Sequence, residues 1–173
     1  MITEATSPEV IEVRPAVAED LPTVHRIVTA AYAEFKPWLT ADNWARMTSN
    51  IAKVIEPGAP GLLRVAQIND QLAGTVTYLP PGPKDYHWVP PEWAVIRVLG
   101  VHPALRGRGV AHALTEDCLA LARADQAPAV GLHTAEMMVA ARILYERAGF
   151  VHHHDVTHLD LRFSIYMRPM GPL

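Results

Sequence analysis

One stretch constrains the fold more than any other. It runs Val95-Ile96-Arg97-Val98-Leu99-Gly100-Val101-His102-Pro103 and continues Ala104-Leu105-Arg106-Gly107-Arg108-Gly109-Val110-Ala111-His112-Ala113-Leu114. An apolar run ends in His-Pro, a short loop carries Arg-Gly-Arg-Gly, and an amphipathic run follows. That order predicts a strand, a glycine-bearing turn and a helix. A helix N-terminus exposes unpaired backbone N–H groups and the positive end of its dipole. Glycines at its threshold let an anion approach the backbone closely, and the ligand this arrangement suits is a phosphate group.

The kind of phosphate ligand can be narrowed. A dinucleotide fingerprint needs G-x-G-x-x-G, and His112 stands where its third glycine belongs. The string G-x-x-x-x-G-K-[ST] of a nucleotide-binding P-loop does not occur. The pattern [QR]-x-x-G-x-[GA] does occur, as Arg106, Gly109 and Ala111. With the preceding V-L-G-V-H-P it closely resembles the coenzyme A loop of the GNAT N-acetyltransferase superfamily. About 35 residues further on, Ala141 to Phe150 resembles the second signature of that family, A-x-x-L-Y-x-x-x-G-F. Val13-Arg14-Pro15-Ala16 with Glu19-Asp20-Leu21-Pro22 resembles its first strand and helix.

Hydrophobic periodicity orders the rest of the chain. Residues 1–9 read as a loose tail, and one domain follows over residues 10–170. A strand is expected over Glu9 to Arg14, a helix over Ala18 to Phe35 and a second helix over Ala41 to Val54, capped by Thr40. Leu62 to Ile68 and Leu72 to Leu79 read as a hairpin across Asn69-Asp70. A proline-rich loop, 80–91, encloses Tyr86, His87 and Trp88 and leads into the central strand, Trp93 to Val101, apolar apart from Arg97. A helix over Arg108 to Ala124, a strand over Pro128 to His133 and a helix over Glu136 to Ala148 follow. Phe150 to Val156 and Arg162 to Met167 are the last strands. The resemblance implies a single-domain α/β fold. Its mixed, mostly antiparallel sheet would have about seven strands flanked by about four helices, with a splayed central strand.

Composition excludes several classes. A length of 173 residues suits one domain with a sizeable core. The formal charge of −3, without a block of one sign, argues against nucleic acid or an anionic membrane as partner. No apolar run approaches the roughly 20 residues that span a bilayer. The single cysteine, Cys118, cannot form an intrachain disulfide, which fits a reducing cytoplasm. It reads as a buried, inert thiol. His152-His153-His154 invites a metal reading, but adjacent strand residues point to opposite faces and no zinc-type partner set accompanies them. No metal is expected. His133 reads as a hydrogen-bonded core histidine and His112 as a surface residue.

The resemblance implies acetyl-coenzyme A as donor and a primary amine of a small molecule or peptide as acceptor, by direct attack on the thioester. Coenzyme contacts carry over to Arg106, Gly107, Arg108, Gly109, Val110 and Ala111. The backbone N–H groups of Leu99, Gly100 and Val101, beside the splay, would receive the charge that develops on the thioester oxygen. Tyr145 occupies the family's position for the acid that meets the leaving thiolate. No base is marked: Glu92 before the central strand and His87 in the loop are candidates, and a water chain is another. The family often has Glu within this strand, where Val95 stands here, and often Asn where Met138 stands. A homodimer is one assembly compatible with this reading. A non-catalytic domain that binds coenzyme A as a sensor, or an interaction module, is the alternative.

Overall fold

The structure, a computed structural model, describes residues 9–171. Seven strands form one sheet: β1 (Ile11–Pro15), β2 (Leu62–Ile68), β3 (Gln71–Leu79), β4 (Ala94–Val101), β5 (Ala129–Ala135), β6 (Val151–His158) and β7 (Leu161–Pro169). Their order is β1-β2-β3-β4-β5-β7-β6, antiparallel throughout except for the parallel pair β4–β5. Four α-helices pack on it: α1 (Leu21–Tyr32), α2 (Ala41–Ile55), α3 (Val110–Ala124) and α4 (Val139–Arg147). A parallel pair cannot be joined by a tight turn, and α3 makes the crossover.

Apolar layers lie on both faces of β4, and an irregularity in its register puts Ile96 and Val98, two residues apart, on opposite faces. Ile96 and Val101 join Leu114, Cys118 and Leu119 of α3 and Tyr145 of α4 on one face. Val98 joins Val24 and Val28 of α1 and Ile51 and Ile55 of α2 on the other. Cys118 is fully buried, and burial pushes its thiol up to about 12, so it is inert as expected. Bidentate contacts from Arg64 to Asp117, at 2.7 and 2.9 Å, bind β2 to α3.

Two of the expected helices differ from the observed ones beyond a shift at their ends. The helix read as continuous from Ala18 to Phe35 is a 3₁₀ turn (Ala18–Asp20), α1, and a second 3₁₀ segment (Ala33–Trp38) that contains Pro37. A proline there removes an α-type hydrogen bond, so the chain tightens rather than continuing. Helix α4 begins at Val139, not Glu136: the N–H of Glu136 still donates to the carbonyl of Arg162 in β7, and the N–H of Met138 closes a turn on the Ala135 carbonyl before the helix starts. The expected tail lies outside the described residues except Glu9, whose carboxylate pairs with the Arg108 guanidinium. In β6 a bulge between His152 and His154 upsets strict alternation, and the ring nitrogens Nδ1 of His153 and His154 lie 2.7 Å apart. Among the described residues no group of three His, Cys, Asp or Glu side chains could hold a metal ion.

The 80–91 loop is held to the sheet by one cation. Lys84 Nζ donates to the carbonyls of Gly82, Pro91 and Trp93 at 3.0, 3.0 and 2.8 Å, and Gly82 N–H donates to Pro91 at 2.8 Å. Three charge-assisted bonds on backbone carbonyls close the base of the loop, and the aromatics between them pack on Val89, Val95 and Ile165. Lys84→Met keeps the apolar stem and removes these donors. It is expected to cost about 1–3 kcal/mol, since hydrogen bonds to charged groups are worth that much. Thermal unfolding should show a midpoint lower by about 2–4 °C per kcal/mol; an unchanged midpoint would mean that the loop is held by its aromatics alone.

Candidate active site

β4 leaves β5 almost as soon as the two meet. Only Ala94 and Val95 pair with it, opposite Val130 and Gly131, while β5 runs its full length along β7. On its other edge β4 follows β3 but carries a bulge. Thr77 opposes Arg97 and Thr75 opposes Gly100, so Val98 and Leu99 share a single partner position. Val98 has φ of 51°, rare for a β-branched residue, and such a bulge bends a strand and increases its twist. Departure from β5 and bending opens a cleft beside Leu99–Val101, and the expected splay is present.

The register decides which backbone groups face the cleft. His102 N–H donates to the Ala73 carbonyl at 2.8 Å, and antiparallel strands alternate inward and outward pairs. Val101 N–H therefore turns to the cleft, as does Leu99 N–H, whereas Gly100 N–H turns to β3. Of the three donors expected on this strand, alternation leaves two. The Leu99 carbonyl on the same side accepts a hydrogen bond from the Tyr32 hydroxyl at 3.2 Å.

A cavity of about 900 Å³ fills the cleft. At one end it meets the glycine loop, with Arg106, Gly107, Gly109, Val110 and Ala111 in its wall. Gly107 and Gly109 adopt φ of 76° and 87°, which L side chains rarely take. Gly109 caps α3 without a side-chain hydrogen bond, so the first N–H groups of the helix stay open. A Cβ at Gly107 would meet nothing within 4 Å, which leaves the backbone bare on that side. This is a cradle that suits a pyrophosphate, and the loop fits the coenzyme. Arg106 is anchored by Glu34 at 2.9 Å and by the Ala31 carbonyl at 3.1 Å. Arg108, expected among the coenzyme contacts, pairs with Glu9 and is not in the cavity wall. His112, expected at the surface, is exposed and also borders the cavity.

Tyr145 stands in the middle of the wall, only 5% exposed, with its ring edge-on to Phe150 at 5.6 Å between centroids. Burial pushes its phenol well above the usual tyrosine range, with Tyr32 and Cys118 adding to the shift. It therefore carries its proton at any physiological pH. Met138 borders the cavity at the start of α4. Glu92 is exposed in the turn before β4, and neither it nor His87 is in the cavity wall.

The far end holds groups that the motifs did not mark. His133 of β5, read as a hydrogen-bonded core residue, instead borders the cavity and packs against Trp88 at 4.9 Å and Phe163 at 5.7 Å. His158, at the end of β6, joins it with its ring 5.3 Å from Trp88. Arg97 stacks on Tyr86 at 4.9 Å. The one available signal was Arg97 itself, a lone charge in an otherwise apolar strand. Nothing local could bring β5, β6 and the 80–91 loop together around it.

Burial lowers His133 to about 3, and the Arg97 and His158 charges push it the same way. The unfolded imidazole titrates near 6.5. Between those values the unfolded chain binds a proton that the folded one does not, so stability is full above pH ~6.5 and declines as pH falls toward ~3. In an NMR titration the His133 ring should stay neutral from about pH 8 down to about pH 5. A His133 midpoint near 6.5 would show the ring to be in water.

Comparison with known proteins agrees with this geometry. A model of the Acetyltransferase (GNAT) family matches residues 21–150. Among curated proteins none matches by sequence. Solved structures do match by fold. A GCN5-related N-acetyltransferase from Rhodopseudomonas palustris superposes with a TM-score of 0.71 at 18% identity, over 95% of this chain and 99% of that one. The ribosomal-protein-S18-alanine N-acetyltransferase from Escherichia coli gives 0.67 at 17% identity, over 95% and 96%. A GCN5-related N-acetyltransferase from Kribbella flavida gives 0.66 at 23% identity, over 92% and 98%. At such identities the structures establish the fold, and the family match over most of the chain establishes descent: this protein belongs to the GNAT acetyltransferase family.

Proposed function

We propose that the protein moves an acetyl group from acetyl-coenzyme A to a primary amine of a small molecule or peptide, by direct attack of the amine on the thioester. One observation carries this reading: a single cavity joins the glycine loop, the free edge of β4 and the Tyr145 phenol. Acetyl-coenzyme A supplies an activated acyl group on a good leaving thiol; the remaining work falls to the chain. The open N–H groups at the start of α3, with Gly107 and Gly109, hold the pyrophosphate. Val101 N–H, and Leu99 N–H beside it, lie where charge develops on the thioester oxygen, and donors fixed in place need no reorganisation. Tyr145 donates to the sulfur as the carbon–sulfur bond breaks. Its raised proton affinity exceeds that of a thiol, near 8.5, so it stabilises the thiolate by a hydrogen bond more than by full transfer.

The acceptor amine enters from the side of the 80–91 loop, where Tyr86 and Trp88 border the cavity. Its proton leaves through water or a neutral imidazole of this end; Glu92, exposed and outside the wall, lies away from that route. No metal takes part in this reading, and the cytoplasm, where acetyl-coenzyme A and a reduced Cys118 coexist, is its setting. Among the described residues no helix is long and apolar enough to cross a membrane.

Incubation with acetyl-coenzyme A and a panel of amines, following free thiol, tests the reading. Binding of the coenzyme with no thiol released by any amine would favour a sensor instead. Two variants sharpen the test. Gly109→Val places a β-branched residue at φ of 87° beside Ile11, where left-handed backbone costs about 1–2 kcal/mol. The folded variant should bind coenzyme A much more weakly, by calorimetry; equal affinity would place the pyrophosphate elsewhere. Tyr145→Phe keeps the ring packed and removes the donor. Turnover should fall about 10²-fold, the lower end for such a group, with coenzyme affinity little changed. Full turnover would leave Tyr145 a packing residue.

A further inference from the structure

The proposed reaction leaves the acceptor unnamed, and the unused end of the cavity bears on it. Arg14, Arg64, Arg106 and Arg108 each meet a carboxylate: Asp20, Asp117, Glu34 and Glu9. Arg97 does not. It is half-buried in the cavity wall, and among the described residues no carboxylate lies within ion-pair distance of it. Its Nε is buried without a hydrogen-bond partner. Two neighbours share that condition: the Tyr86 hydroxyl, under whose ring the guanidinium is stacked, and Oγ1 of Thr77, the cross-strand partner of Arg97. Buried polar groups left unpaired are costly and call for water, an ion or a ligand, and of these three residues Arg97 and Tyr86 line the cavity.

We propose that the acceptor amine carries its own carboxylate, and that Arg97 holds it. The inference rests on the acetyl-transfer reading of the same cavity. The guanidinium is planar, always charged and suited to a carboxylate fork, and its stacking on Tyr86 fixes its plane in advance. Arg97 lies two residues before Leu99 across the bulge, and both line the same cavity, so a carboxylate on Arg97 and an amine at the thioester can belong to one small molecule. An amino acid is such a molecule. A monoanion matches the site better than a phosphate does. Arg97 is a single charge, His133 beside it is neutral, and Asp85 on the rim adds a negative field. Trp88, His133, His158 and Phe163 form an aromatic wall for an apolar or flat side chain.

The test compares amino acids with their own amides, each pair alike except for the carboxylate. For the best amino acid, kcat/KM by thiol release should exceed that of its amide by about 10–100-fold, the worth of one charged hydrogen-bonded contact. Arg97→Gln should bring that ratio close to one, and Arg97→Lys, which keeps the charge but not the fork, should restore part of it. Amides used as well as acids would overturn the inference, as would an Arg97→Gln variant that slows both alike. Should Arg97→Gln fail to fold, the ratio in the parent protein and its fall in Arg97→Lys decide. A second measurement separates this inference from the reaction it rests on. Quenching of tryptophan fluorescence, with coenzyme A present, reports binding of the same acids and amides without turnover. Selective binding of acids with no thiol released would sink acetyl transfer and leave the carboxylate site standing; binding without selectivity would remove the site.

Discussion

The parting of β4 from β5 after Val95 is the constraint on which the rest of the structure depends. β5 cannot follow β4, because its whole length is committed to β7, from Ala129 opposite Pro169 to Ala135 opposite Phe163. β4 cannot follow β5, because the bulge at Val98–Leu99 turns it with β3. The two strands separate inside a sheet, where backbone polar groups must find partners. The Tyr32 hydroxyl claims the Leu99 carbonyl, and the N–H groups of Leu99 and Val101 are left to the cavity. A residue such as Val98 at positive φ costs about 1–3 kcal/mol and persists only where its surroundings over-determine it. Here Val98 is clamped between α1 and α2 on the face opposite α3.

Three of the charges around the cleft tie protein groups together, and Arg97 differs from them. Arg106 ties the glycine loop to the end of α1 through Glu34 and the Ala31 carbonyl. Arg108 draws Glu9 across the mouth of the same loop, and Lys84 closes the base of the 80–91 loop. Each satisfies protein groups. Arg97 stacks on an aromatic ring, its Nε has no partner among the described residues, and its charge helps to keep His133 neutral. The glycine-loop end of the cavity is built from backbone and the opposite end from side chains, so the far end can change without disturbing the loop.

The glycine-loop end of the cavity is legible in the amino-acid sequence. Arg106, Gly107, Gly109, Val110 and Ala111 lie within six consecutive positions, and their chemistry depends on local backbone geometry: positive φ at two glycines and an uncapped helix start. Tyr145 of the second motif lies in the same cavity wall. The pairing of Arg108 is not legible, because its partner, Glu9, lies 99 residues away. Glu92 suggests a base because it is adjacent in sequence to the central strand, yet the turn before Ala94 leaves it exposed and outside the wall. His133 resembles a core residue, since a short apolar strand looks the same whether its face meets a core or a cavity.

By itself the sequence determined most of the elements, the crossover through α3 and the glycine turn before it, because each follows from periodicity, caps and glycines within a few residues. Tertiary structure alone decided the placing of β7 between β5 and β6, the alternation that turns Val101 N–H to the cleft and Gly100 N–H to β3, and the meeting of Arg97 with Tyr86 and His133. Those depend on register between strands distant in the chain. A shift of one residue in that register would send every side chain to the opposite face without altering any local signal.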